Sequence, residues 1–232
     1  MKQVDNQILN DLVTFCRVGD MGSLTRFELI KRVFEVEFHQ YEFDCLRKEI
    51  GRCYVIDACQ ACITLTNHLL ERYCKMLLIY YESGFRKIQD LKSIEENFEK
   101  ANSNYLDKDL CTTLQACKRF NLITKEEWKE LEKYREQFRN GYSHANPKQI
   151  LGDNKGGFML GSFSGDKENE FQELTYSKVP FLQGLAIENF SQANALPYFI
   201  TVENLIRKTI KYVQADEDKK DYELIQLVNR QI

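Results

Sequence analysis

The sequence predicts an all-α protein: a helical bundle with an N-terminal helical extension and one small excursion that reads as a β-hairpin. Three observations carry that expectation. Only three Pro and 11 Gly occur in 232 residues, too few for a chain full of tight β-turns. Ala58, Cys62, Leu65, Leu69, Tyr73, Met76 and Tyr80 recur three and four apart, the period of one helix face. Two Thr-x-x-Glu boxes, Thr25/Glu28 and Thr124/Glu127, stand before further apolar runs and mark helix starts.

Taken in order, residues 8–16 (ILNDLVTFC) predict a short amphipathic helix stopped near Gly19 and Gly22. The first capping box opens a helix reaching Phe34 or Val36. Phe34, Val36 and Phe38 alternate with Glu35, Glu37 and His39, a period that also fits a strand. Phe43, Leu46, Ile50 and Cys53 return to helical spacing. The long helix from Asp57 to Tyr81 carries Gln60, Asn67, Glu71 and Lys75 on its polar side, and Gly84 ends it. Leu91, Ile94 and Phe98 mark a shorter helix; Leu106, Leu110, Leu114 and Cys117 mark another. The second box opens a helix with Trp128, Leu131, Tyr134 and Phe138 inward, running into Arg139-Asn140. Past Pro147 glycines interrupt the pattern, and Phe158–Phe163 and Phe171–Phe181 read as two strands. Pro197 starts a last core helix with Val202, Leu205, Ile206 and Val213 on one face. A charge run at 215–221 and a short terminal helix follow. The division expected is 1–50 as an extension, 51–213 as the main domain with an insertion at 152–184, and 214–232 as the tail.

Charge argues against a dedicated duplex-DNA binder. Lys and Arg total 32 against 35 Asp and Glu, a net of −3. A polyanion could be held only through a local cluster of cations, or through a dimer that pools two clusters. The N-terminus lacks an apolar signal core, and no apolar run reaches the roughly 18 residues of a membrane span. A cytoplasmic protein without a membrane partner is therefore expected. Its eight cysteines then read as reduced, small and mostly buried. Cys59-Gln60-Ala61-Cys62, with Cys53 upstream, is a CxxC with no second pair to complete a zinc site. It lies within an apolar helical stretch, away from the helix start where a redox thiol is activated. No metal and no cofactor are expected.

The segment Tyr134–Pro147, YREQFRNGYSHANP, holds the chemistry. Arg139-Asn140-Gly141-Tyr142-Ser143-His144 places a guanidinium and an imidazole at the end of an amphipathic helix. Attack on a phosphodiester is one reaction that such groups serve. That needs a group that moves protons near neutral pH, and fixed positive charge on the phosphoryl oxygens. His144 and Arg139 are residues of those types, with Asn140 and Ser143 beside them. On an ideal α-helix, positions five apart lie about 140° apart, so either the helix distorts at Gly141 or the residues form a wide crescent. The pattern also fits Arg32 and His39, a match taken as accidental. His144 alone would equally serve as a surface or capping histidine.

Arg139-Asn140-x-x-x-His144 resembles the hallmark of the HEPN superfamily, Arg followed after four to six residues by His, often with a polar residue after the Arg. TLTNHLLERYCKMLL resembles its long helix, and LITKEEWKELEKYREQFRNGYSHA the helix that delivers the motif. The resemblance covers roughly residues 51–213. It implies a metal-independent endoribonuclease with Arg139, His144 and Asn140 in the site and Asn67, Glu71 and Ser143 as weaker substrate contacts. It also implies RNA as substrate and a homodimer whose motifs face one cleft. A toxin–antitoxin or antiviral setting, with an antitoxin or defence-system partner, is implied as well. A non-catalytic module binding protein or nucleotide, or a structural helical dimer, stays open as an alternative.

Overall fold

Helices dominate because apolar residues recur at helical spacing through most of the chain. The computed structural model describes residues 13–14, 21–84, 94–160 and 170–213. Its elements are α1 (Met21–Glu35), α2 (Tyr41–Val55), α3 (Cys59–Ser83), α4 (Ile94–Tyr105), α5 (Leu110–Arg119) and α6 (Lys125–Tyr134). A π-helical turn (Arg135–Asn140), the short α7 (Gly141–Ser143) and α8 (Pro147–Leu151) follow. Then come β1 (Lys155–Leu160), β2 (Glu170–Thr175) and α9 (Pro180–Thr209). The expected all-α class with a small β-hairpin is what forms. The chain divides into two units, Met1–Leu69 with Glu130–Val202, and Leu70–Lys129 with Glu203–Ile232. The boundary expected at residue 50 falls inside α2.

In the first unit α1 crosses α2 at Gly51, where an added Cβ would stand 2.9 Å from the Phe34 ring. Ile30, Val33, Phe43 and Ile50 are buried there. The connection between these helices is built around a buried ion pair. Arg47 is 0% exposed, donates to Asp44 at 2.6 Å and to the Val36 carbonyl at 3.2 Å, and lies 4.0 Å over the Phe38 ring. The Asp44 carboxylate also accepts the backbone N–H groups of Phe38 and Gln40. This accounts for the strand-like alternation at Phe34–Phe38, which forms no strand: those backbone groups bond to side chains instead of a neighbouring strand. β1 and β2 pair antiparallel, Lys155 opposite Thr175 and Leu160 opposite Glu170. The second strand expected over Phe171–Phe181 is shorter, since Tyr176–Lys178 is a 3-10 turn and α9 begins at Pro180.

The second unit buries Leu70, Tyr73, Cys74 and Leu77 from α3 with Leu114 and Cys117 from α5. The Tyr73 hydroxyl meets the Thr209 hydroxyl at 2.7 Å. The second capping box is realised as read. Thr124 accepts the Glu127 N–H at 3.1 Å, and Glu127 accepts the Thr124 N–H at 2.7 Å. Asp109 caps α5, which therefore begins later than Leu106.

Three further helix boundaries differ from expectation. α1 begins at Met21, so Gly22 lies inside it, and Thr25 bonds back to the Met21 carbonyl at 2.7 Å instead of capping. Pro197 does not start the last helix but sits within α9. The lost hydrogen bond is tolerated because Ala195, Tyr198, Phe199 and Val202 are buried around it. Cys59 opens α3, so the CxxC stands at a helix start after all. Its thiols are nonetheless not activated. Burial, with the Asp57 carboxylate beside it, pushes the Cys59 thiol up to about 11, and burial pushes Cys62 up to about 12. At pH 8 both should therefore stay protonated and resist a thiol-labelling disulfide reagent until the protein is unfolded in urea. Rapid native labelling of either cysteine would show an accessible thiolate. Apart from residues 13–14, the helix expected at 8–16 lies outside the described residues, as do Leu91 and the charged tail.

Candidate functional site

The helix that delivers Arg139 and His144 is fastened along its apolar side. Its apolar positions run Leu131, Tyr134, Phe138 and Tyr142, and the last two steps are four residues each. An α-helix drifts against a repeat of fours, whereas the π-helical turn Arg135–Asn140 is wider and keeps such positions on one side. Phe138 is fully buried and packs edge-on against Phe190 (5.6 Å between ring centres) and Tyr198 (5.0 Å) of α9. Tyr134 lies 4.6 Å from the Tyr198 ring. Tyr142 meets Ser191 at 2.5 Å. Ser191 directs its own hydrogen to the Ile187 carbonyl, so the Tyr142 hydroxyl, held protonated by burial, is the donor.

The expected distortion at Gly141 is thus displaced to the preceding turn, and Gly141 itself is helical. Its role is close approach. A Cβ there would stand 2.7 Å from Ile150 Cγ1, so α8 folds directly back against it. The reversal between α7 and α8 is explained residue by residue. Ala145 takes a left-handed backbone (φ 46°), its N–H reaching the Tyr142 carbonyl at 3.2 Å while Asn146 N–H reaches Gly141 at 2.9 Å. Asn146 then caps α8 by accepting from Lys148 and Gln149, and Pro147 occupies the first helical position, which needs no N–H. Ala145→Gly should relieve the left-handed strain and stabilise the protein by about 1 kcal/mol. Thermal melting should rise by about 2–4 °C; a fall would mean that the cap is not strained.

The residues with chemistry lie between these anchors. Arg139 and Asn140 are half-buried, and Arg139 reaches the Asn140 side-chain oxygen at 3.5 Å, at the limit of a hydrogen bond. Ser143 and His144 are exposed, His144 being the last residue of the turn. Arg135, one turn earlier, is taken up by Glu132 at 2.8 and 2.9 Å. The five-residue interval from Arg139 to His144 begins in the wide turn and ends at the cap, so the ideal-helix angle does not describe it.

The two weaker candidates on α3 have partners of their own. Asn67 is buried and accepts the Tyr198 hydroxyl at 2.8 Å, so it is a support beneath the motif helix and not a cleft wall. A phenol brought into the core needs an acceptor, and Asn67 supplies it. Glu71 belongs to the second unit, where it pairs with Lys75 at 3.2 Å. Sequence reading missed the anchoring roles of Ser191, Ala145 and Asn146. The Asn-Pro pair was the available signal for the cap. Among the described residues, no three His, Cys, Asp or Glu side chains are grouped to hold a metal ion. No helix among them is long and apolar enough to cross a membrane. Comparison with family models, with curated proteins and with solved structures finds no match to this chain.

Proposed function

We propose that the chain is a metal-independent endoribonuclease of the HEPN type, cutting RNA by attack of the 2′-hydroxyl on the adjacent phosphorus. The observation that supports this reading is the division of labour within RNGYSHANP. Gly141, Tyr142, Ala145, Asn146 and Pro147 are each accounted for by packing or capping. Arg139, Asn140, Ser143 and His144 lie along the same anchored stretch, from the π-helical turn to the end of α7, the first two half-buried and the last two exposed. His144 is the proton-transfer group in this proposal. Arg139 places its guanidinium on the phosphoryl oxygens as they gain charge, and Asn140 orients Arg139. RNA is the substrate, and two protomers facing one cleft would double the cations available to a chain of net charge −3. A toxin or antiviral role, with a cognate regulator, rests on the family resemblance alone.

The test is incubation of the purified protein with total RNA in EDTA beside an Arg139→Ala/His144→Ala chain. Cleavage by the first and none by the second is the expected result; RNA left intact by the wild-type protein would sink the reading.

A further inference from the structure

Three aromatic rings meet at one surface of the second unit, at the ends of three separate elements. Tyr81 stands in the last turn of α3, Phe120 immediately after α5, and Tyr212 in the 3-10 turn Ile210–Tyr212 after α9. The Tyr81 ring lies 5.4 Å from Phe120, tilted 40°, and 6.3 Å from Tyr212, edge-on at 83°. Although it touches both, Tyr81 remains 42% exposed. Each flanking ring carries a cation. Arg119 Cζ is 4.8 Å from the centre of Phe120, and Lys211 Nζ is 5.2 Å from the centre of Tyr212. Phe120 and Arg119 also line a cavity of about 530 Å³, which has Lys108, Glu82, Asn104 and Tyr105 on its wall. Glu82 accepts from Asn104 and from the Tyr105 hydroxyl. Arg119 reaches that hydroxyl too.

We propose that this surface binds a nucleotide unit, an unpaired base with its phosphate, by stacking the base on Tyr81 and Phe120. A π-face beside cations suits a flat, electron-delocalised ring attached to an anion. The cavity is of the size that takes one such unit. Glu82 repels phosphate and accepts from an exocyclic amine, so the base edge points toward it. The phosphate lies toward Lys211 or Lys108. The site shares no residue with the Arg139–His144 turn, and its occupancy does not depend on cleavage.

Binding of a fluorescent 12-nucleotide single strand is followed by anisotropy on the His144→Ala chain, so that no probe is cut. Tyr81→Ala should weaken binding at least fivefold with the helical circular dichroism unchanged, and Tyr81→Phe should restore it. Lys211→Gln should weaken binding and flatten its salt dependence. Displacement by adenosine monophosphate alone, lost in Tyr81→Ala, would assign the site to a free nucleotide. Binding that needs the strand would assign it to a polymer. A folded Tyr81→Ala chain that binds both probes as tightly as its parent overturns the proposal, as does equal affinity for a fully paired duplex. A chain that binds but never cleaves leaves this site standing and removes the ribonuclease reading.

Discussion

His144→Ala should lower RNA cleavage by about 10²–10⁴-fold, the range a positioned acid–base group contributes. The fold should survive the change. His144 is exposed, follows the anchored part of the helix and adds nothing to its apolar side. Arg139→Lys should be similarly impaired, because an ammonium cannot reproduce two parallel contacts to a phosphate. Rates on a single labelled RNA, read beside melting curves, separate chemistry from folding. Full activity in a folded His144→Ala chain would end the catalytic assignment. Mixing wild-type and His144→Ala chains adds a test of pairing, since a shared cleft makes the activity of mixed dimers differ from the average of the parents.

The largest effect on stability is expected at Asp44. Replacing it with Ala would leave the Arg47 charge fully buried with only the Val36 carbonyl and the Phe38 ring among the partners described above. It would also strip an acceptor from two backbone N–H groups. Breaking one side of such a pair costs about 3–5 kcal/mol. Urea denaturation should show that loss as a lower midpoint with an unchanged slope. A cost below about 1 kcal/mol would mean that solvent reaches Arg47 and the pair holds little together.

Much of this was legible in the sequence, for reasons that differ by region. α3 was clear because twenty or so residues of unbroken periodicity outweigh any local ambiguity. The Thr124/Glu127 box was clear because the interaction is local, whereas the Thr25/Glu28 box failed because a helix already running from Met21 leaves no free N–H groups to cap. Asn67 misled for a tertiary reason. Its burial is decided by Tyr198, which lies 131 residues away in the chain, and no window of sequence contains both. Pro197 misled because a proline's local cost was read without the burial on either side that offsets it. The π-helical turn was half visible, in the run of four-residue steps from Tyr134 to Tyr142, but its partners Phe190 and Ser191 come from α9.

That dependence on α9 sets an order of events during synthesis. The ribosome completes RNGYSH at residue 144, yet Phe190, Ser191 and Tyr198 have still to be made. At about 5–20 residues per second, the motif helix waits several seconds before α9 can clamp it. A nascent chain at that stage has Arg139 and His144 without the α9 rings that anchor their helix, and catalysis requires that placement. If the chain does cut RNA, its own message and ribosome are exposed to an active site only once α9 has emerged and packed.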